Sequence, residues 1–265
     1  MNMYWVYDLP NWLFGVITIS AFLVFGLGGL ALTRRWVPGL HHEDHSHNDV
    51  VGFYLGALTV FYGITLGLLM VGVWGNFSET EGKVDREAAI DAALYRDISS
   101  YPDPLRENLQ YDLRMYTRNI IDVGWPEQRK GIVPKENVVI LGNLQRHMMS
   151  FEPATEGQKI LHAEAYRQLN QLVEQRRSRL VSATSGLSTS LWTLVLVGAM
   201  INIAGTWFFH LRKRAMHIFM TILISSLLGL MIFLLAAMDH PFRGNLSVGP
   251  EPFENVYDQL MRTAP

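Results

Sequence analysis

The chain contains no cysteine, which excludes disulfides, thiolate nucleophiles, iron–sulfur ligation and thiolate zinc sites together. It leaves the compartment open, since cysteine-free domains work on either side of a membrane. An excess of charge is also missing. The formal net charge is -2, without the basic stripe a nucleic-acid binder presents, so no nucleic-acid partner is expected. Enzyme signatures are lacking too: there is no phosphate-binding loop, nucleophile elbow or His-Glu-x-x-His zinc pattern. The carboxylates Glu79, Asp85, Glu87 and Asp91 alternate with basic residues, as on a solvated helical face. Neither catalysis nor a cofactor is expected.

What is present is apolar length. Asn11 to Thr33, Asp49 to Trp74, Leu187 to Phe209 and Ala215 to Met238 are four segments almost free of ionisable side chains. Each supplies the roughly 20 residues that a helix rising 1.5 Å per residue needs to cross a hydrocarbon core of about 30 Å. The sequence therefore reads as an all-α polytopic membrane protein, embedded in lipid, with four transmembrane helices in two hairpins and a central helical bundle inserted between them. The expected divisions are an N-terminal hairpin over 1–76, the bundle over 77–185, a C-terminal hairpin over 186–240 and an extended tail over 241–265.

The first span is not a secretory signal on this reading, because Met1 to Pro10 has no lysine or arginine and the apolar run is too long. An uncleaved helix with its N-terminus outside is expected. Tyr4, Trp5, Tyr7 and Trp12 stand at one interface and Trp36 at the other. Arg34, Arg35, Arg212, Lys213 and Arg214 in the two short links favour links in the cytoplasm and a bundle outside. Arg176, Arg177 and Arg179, approaching the third span from the other side, offset that bias.

Between the hairpins the periodicity is helical throughout. Val84, Ala88, Ala92, Tyr95 and Ile98 continue the line of span two. Pro102 and Pro104 break it. Leu105, Leu109, Leu113, Tyr116 and Ile120 build a second helix ending near Gly124 and Pro126, a third runs from Glu136 to Phe151, and a fourth from Ala154 to Arg179 carries Ile160 or Leu161, Ala165, Leu169 and Leu172. No flexible linker bounds the bundle, so unbroken helix is expected through Trp74 to Val84 and again through Arg179 to Gly186.

Candidate functional residues fall into three groups. Gly52, Gly56, Gly63 and Gly67, with Thr59, occupy one face of span two, and Asn202 lies deep in span three. Such a face supports either close helix packing or a narrow pore, and an amide in hydrocarbon needs partners from a neighbouring helix or a hydrated path. Asp239, His240 and Arg243 stand at the exit of span four as a pore entrance or a charged helix cap. His41, His42, His45 and His47 are weak candidates for a transition metal, on a loop that equally reads as a solvated link titrating near neutral pH.

Several segments together carry a family likeness. They are His47-Asn48-Asp49-Val50, Val73-Trp74, Asp85-Arg86-Glu87-Ala88-Ala89, Leu94-Tyr95-Arg96-Asp97, Pro104-Leu105-Arg106, Asp239-His240-Pro241-Phe242-Arg243-Gly244 and Pro250-Glu251-Pro252-Phe253-Glu254. In these, and in the order of its elements, the chain resembles the bacterial bestrophin-like membrane proteins. The resemblance implies a homo-oligomer, pentameric as in true bestrophins, with a central anion pore lined by span two and continued through a cytosolic helical region. It further implies a bacterial inner membrane and inorganic ions as the permeant partners. The expected function is an oligomeric ion channel, anion-conducting by resemblance. A cation-selective channel and a non-conducting sensor or assembly protein that binds a partner through its bundle are the alternatives.

Overall fold

A computed structural model describes residues 4–36, 45–134, 136–211 and 213–262. Nine α-helices are found among them: α1 (Asn11–Trp36), α2 (His45–Ile98), α3 (Leu105–Asn119), α4 (Trp125–Arg129), α5 (Glu136–Met149), α6 (Glu156–Ser182), α7 (Thr189–Thr206), α8 (Arg214–Asp239) and α9 (Glu251–Val256). A 3-10 turn precedes α1, and π-helical turns follow α3 and α9. No strand occurs among the described residues. Four helices are long and apolar enough to cross a membrane: α1, the first half of α2, α7 and α8.

The chain forms two compact units. One comprises Met1–Gly75, Gly186–Asp239 and Gly244–Leu246; the other comprises Asn76–Ser185, His240–Arg243 and Ser247–Pro265. Helix α2 is continuous across the division, as expected for Trp74 to Val84. The second continuity is not found. Helix α6 ends at Ser182, and α7 begins only after Ser188, whose hydroxyl accepts the Leu191 amide at 3.3 Å. A serine at that position satisfies one of the orphan amides of a new helix, which is why the chain restarts there rather than running on.

In the membrane unit α1 packs along α8 through small residues. A Cβ on Gly229 would sit 2.9 Å from the Ile19 backbone, and one on Gly26 would collide with Ser225. Phe14 meets Phe233 edge-on at 5.4 Å. Helix α7 joins this pair at its far end, where Trp207 donates to the Gly26 carbonyl at 3.0 Å and its ring lies against Gly29. Lipid gives helices no hydrophobic reason to associate, so close backbone approach and hydrogen bonds of this kind carry the packing.

The bundle unit has a conventional apolar core. Val84, Ala88, Leu94, Tyr95 and Ile98 of α2 are buried with Leu109, Leu113 and Tyr116 of α3, Leu141, Leu144 and Met148 of α5, and Ala165, Leu169 and Leu172 of α6. Thr155 begins α6 with a capping box, its hydroxyl and the Gln158 side chain exchanging bonds with each other's backbone. Three expectations need correction here. Ile160 and Leu161 are exposed, whereas the rest of the expected α6 stripe, Ala165, Leu169 and Leu172, is buried and continues to Arg176 and Arg179. Glu87 and Asp91 do not lie on a solvated face; both are completely buried. The tail is not extended. It carries α9 and a π turn, and Val248, Phe253 and Met261 are buried in the bundle core.

Candidate functional site

Within the membrane unit, α2 meets α7 along one narrow line. Tyr62 lies against Gly198, where an added Cβ would come within 2.5 Å of its ring, and Leu55 lies as close to Gly205. Between these two contacts the Thr59 hydroxyl donates to Asn202 Oδ1 at 2.9 Å, while the Asn202 amide donates to the Gly198 carbonyl at 2.8 Å. The Tyr62 hydroxyl donates to the Val195 carbonyl at 3.0 Å. Thr59 and Asn202 are thereby brought together, and the amide group has partners for its oxygen and its nitrogen. The glycines used for close approach are those of α7.

The α2 glycines stand differently. A Cβ on Gly56, Gly63 or Gly67 would meet nothing within 4 Å, and one on Gly52 would only touch Phe209 at 3.9 Å. Gly52, Gly56 and Gly63, with Thr59, line an open apolar groove of about 770 Å³ whose other wall is Met216, Met220 and Ile224 of α8. The rest of the α2 circumference carries large exposed side chains: Phe53 is 76% exposed, Phe61 73%, Leu68 70% and Val71 70%.

The ends of this unit are pinned by polar side chains. Asn48 exchanges two bonds with the His210 backbone, at 2.7 and 2.8 Å, and His47 Nε2 bonds the Phe208 carbonyl at 3.0 Å, which ties the start of α2 to the α7–α8 link. Asp239 closes the other end, accepting the Leu187 amide at 2.6 Å and the Trp192 indole N–H at 3.0 Å. It thus ties the last turn of α8 to the approach to α7. His41 and His42 lie outside the described residues, as does the side chain of His45. Among the described residues no group of three or more histidines and carboxylates could hold a metal.

The bundle unit holds a buried polar network that the sequence reading missed. The Arg179 guanidinium forms a two-pronged pair with Glu87, at 2.6 and 3.1 Å, and donates to Gln128 Oε1 at 2.8 Å. It lies 5.2 Å from the Trp125 ring centre and 5.7 Å from that of Phe253. Tyr116 donates to Glu87 at 2.8 Å, and burial, reinforced by the Glu87 charge, pushes its hydroxyl well above the ordinary tyrosine range. Phe242 packs edge-on to Trp125 at 5.6 Å, and the Trp125 indole donates to the Val248 carbonyl at 3.1 Å. Arg243 donates to the Lys130 carbonyl at 3.2 Å and His240 bonds the Ser185 carbonyl at 3.1 Å. Segments far apart in the chain, around Glu87, Trp125 and Phe253, therefore converge on one arginine. A signal was available: Glu87 and Asp91 fall in the same helical phase as Val84, Ala88 and Ile98.

A four-span helical membrane unit and a helical bundle stapled by its own C-terminal segment define a membrane protein of the bestrophin type. The chain matches the Bestrophin-like domain family over residues 20–253, and it belongs to that family. Its fold is similar to the crystal structure of a bacterial bestrophin homologue from Klebsiella pneumoniae, with a TM-score of 0.68 at 13% identity, covering 94% of this chain and 99% of that one. Single-substitution variants of a bacterial bestrophin homologue from the same organism match with TM-scores of 0.67 and 0.65, each at 13% identity, covering 94% and 93% of this chain and 99% and 95% of those. Comparison with curated proteins finds no match. The protein is an integral membrane protein.

Proposed function

We propose that the chain is the subunit of a homo-oligomeric ion channel, in which the membrane half of α2 lines a pore shared between copies. One observation carries this reading: α2 holds α7 along a single line and leaves the rest of its apolar surface uncovered, from Phe53 to Val71. A span so thinly attached to its own unit is completed by neighbours. Copies arranged about an axis cover the large side chains, and the small faces at Gly56, Gly63 and Gly67 then leave room for an aqueous path. Family membership supports the same arrangement, with five copies in a bacterial inner membrane as the expected form.

Anion conduction is the finer reading. The membrane half of α2 carries neither an acidic nor a basic side chain between Val50 and Gly75, so the anion assignment draws on family membership. Purified protein in liposomes under a salt gradient tests it: a reversal potential toward the chloride equilibrium value is expected, and one toward the potassium or sodium value replaces the anion channel by a cation channel. A second reading, a non-conducting assembly protein, draws on the exposed apolar residues Val138, Val139, Met149 and Ile160 of the bundle. It predicts no flux and a stable complex with a soluble partner.

A further inference from the structure

We propose that Asp91 is a proton-binding site in the helical bundle, neutral at physiological pH, whose ionisation under alkaline conditions loosens α2 from α3. The side chain is fully buried. Its Oδ2 lies 2.6 Å from the Thr117 hydroxyl, and that hydroxyl also lies 2.9 Å from the Leu113 carbonyl one turn earlier in α3. A hydroxyl has one proton, so the two acceptors would have to share it. The conflict vanishes if Asp91 is the neutral acid: its O–H donates to Thr117, and Thr117 donates to Leu113. The other oxygen, Oδ1, is buried and has no partner, an arrangement far less costly for the carbonyl of a neutral acid than for a carboxylate.

The surroundings offer no unmatched counter-charge. Around Asp91 stand Glu87, one turn earlier on α2, Tyr116 beside Thr117 on α3, and Arg179 of α6. Arg179 is already matched by Glu87, which holds it in two bonds, and Gln128 of α4 takes a further donor. An ionised Asp91 would therefore add an unmatched negative charge next to Glu87. Burial accordingly pushes the carboxyl up to about 8, with the Thr117 bond opposing and the Glu87 charge adding to the rise. On ionisation Thr117 must turn its proton toward Asp91 and release Leu113. The α2–α3 contact then holds a buried anion with a single neutral donor.

The direction of the linkage follows. The folded value lies above the ordinary 3.8, so the stability that the neutral acid contributes is complete below that value and is lost as pH rises toward about 8, with no further loss beyond. Infrared titration of the intact protein reads the site directly. A protonated-carboxyl band present at neutral pH, lost with a midpoint near 8 and missing from Asp91→Asn, is expected; absence of such a band at neutral pH overturns the proposal. In Asp91→Asn the amide donates to Thr117 as the neutral acid does. The unfolding constant of the native chain relative to this variant should rise about tenfold per pH unit inside the window and level off above it. A variant that keeps the native pH slope also overturns the proposal, and should it fail to assemble, the infrared midpoint of the native chain decides. An effect on ion flux rests on the channel reading. If no flux is seen at any pH, that reading fails while the titration still decides the proton site.

Discussion

The two units solve the problem of holding helices together in opposite ways. In the bundle, five helices and the C-terminal segment close over a continuous apolar core, and even the charged groups Glu87 and Arg179 are buried and matched. In the membrane unit, α1, α7 and α8 pack through glycines and a few hydrogen bonds, while α2 is attached along one line through Leu55, Thr59 and Tyr62 and at its start through His47 and Asn48, with large side chains from Phe53 to Val71 facing outward. The core of the bundle is covered within one chain. The membrane half of α2 is not, and that incompleteness is the physical reason for reading it as a surface shared between copies.

The comparison breaks first, and most severely, at the buried ion pair. Arg179→Leu leaves Glu87 uncompensated and should cost about 3–5 kcal/mol of bundle stability, read as a large fall in the thermal midpoint of the detergent-solubilised protein. Adding Glu87→Leu should recover much of it; a single variant as stable as the native chain would remove the pair from the account. Next comes a contrast of two glycines. Gly229→Leu drives a side chain into the Ile19 backbone and should cost at least about 1–3 kcal/mol, lowering the yield of folded protein. A Cβ on Gly63 meets nothing within 4 Å, so with Gly63→Leu oligomers of native size should form while conduction changes.

Smaller effects sharpen the boundary between the units. Asp239→Ala removes the acceptor for Leu187 and Trp192 and should destabilise the membrane unit by about 1–3 kcal/mol, seen as faster proteolysis near Gly186. Asn202→Leu loses the Thr59 bond, worth about 0.6 to 2 kcal/mol in a membrane. Its thermal midpoint should fall only slightly, and a collapse of the oligomer would assign Asn202 a greater role than one contact.

The spans were legible because apolar length is a one-dimensional property: α1 and α8 begin and end within a few residues of the segments read from hydropathy. The bundle helices were legible for the same reason, through periodicity and through the break at Pro102 and Pro104. The buried network was not. Arginine and glutamate count as surface residues in any pattern of apolar spacing, and only the folded chain shows Arg179 of α6 reaching Glu87 of α2 across 92 positions. The tail was misread because Pro250 and Pro252 suggest extended backbone, whereas a proline in the first turn of a helix is tolerated and α9 starts there. Of the candidate site, the glycine face was visible as a stripe. That its members front open space, while Gly198 and Gly205 of α7 take up the close packing, depends on Tyr62 and Leu55 and could not be read from spacing.

The central claim is that the small face of α2 borders a conducting path. It is tested most directly by ion flux through liposomes containing the native protein or Gly63→Leu, with oligomer size verified in both. The account predicts flux through the native protein and a blocked or altered flux through the variant at unchanged assembly. Identical fluxes from equally assembled proteins, or no flux from the native oligomer, would contradict it.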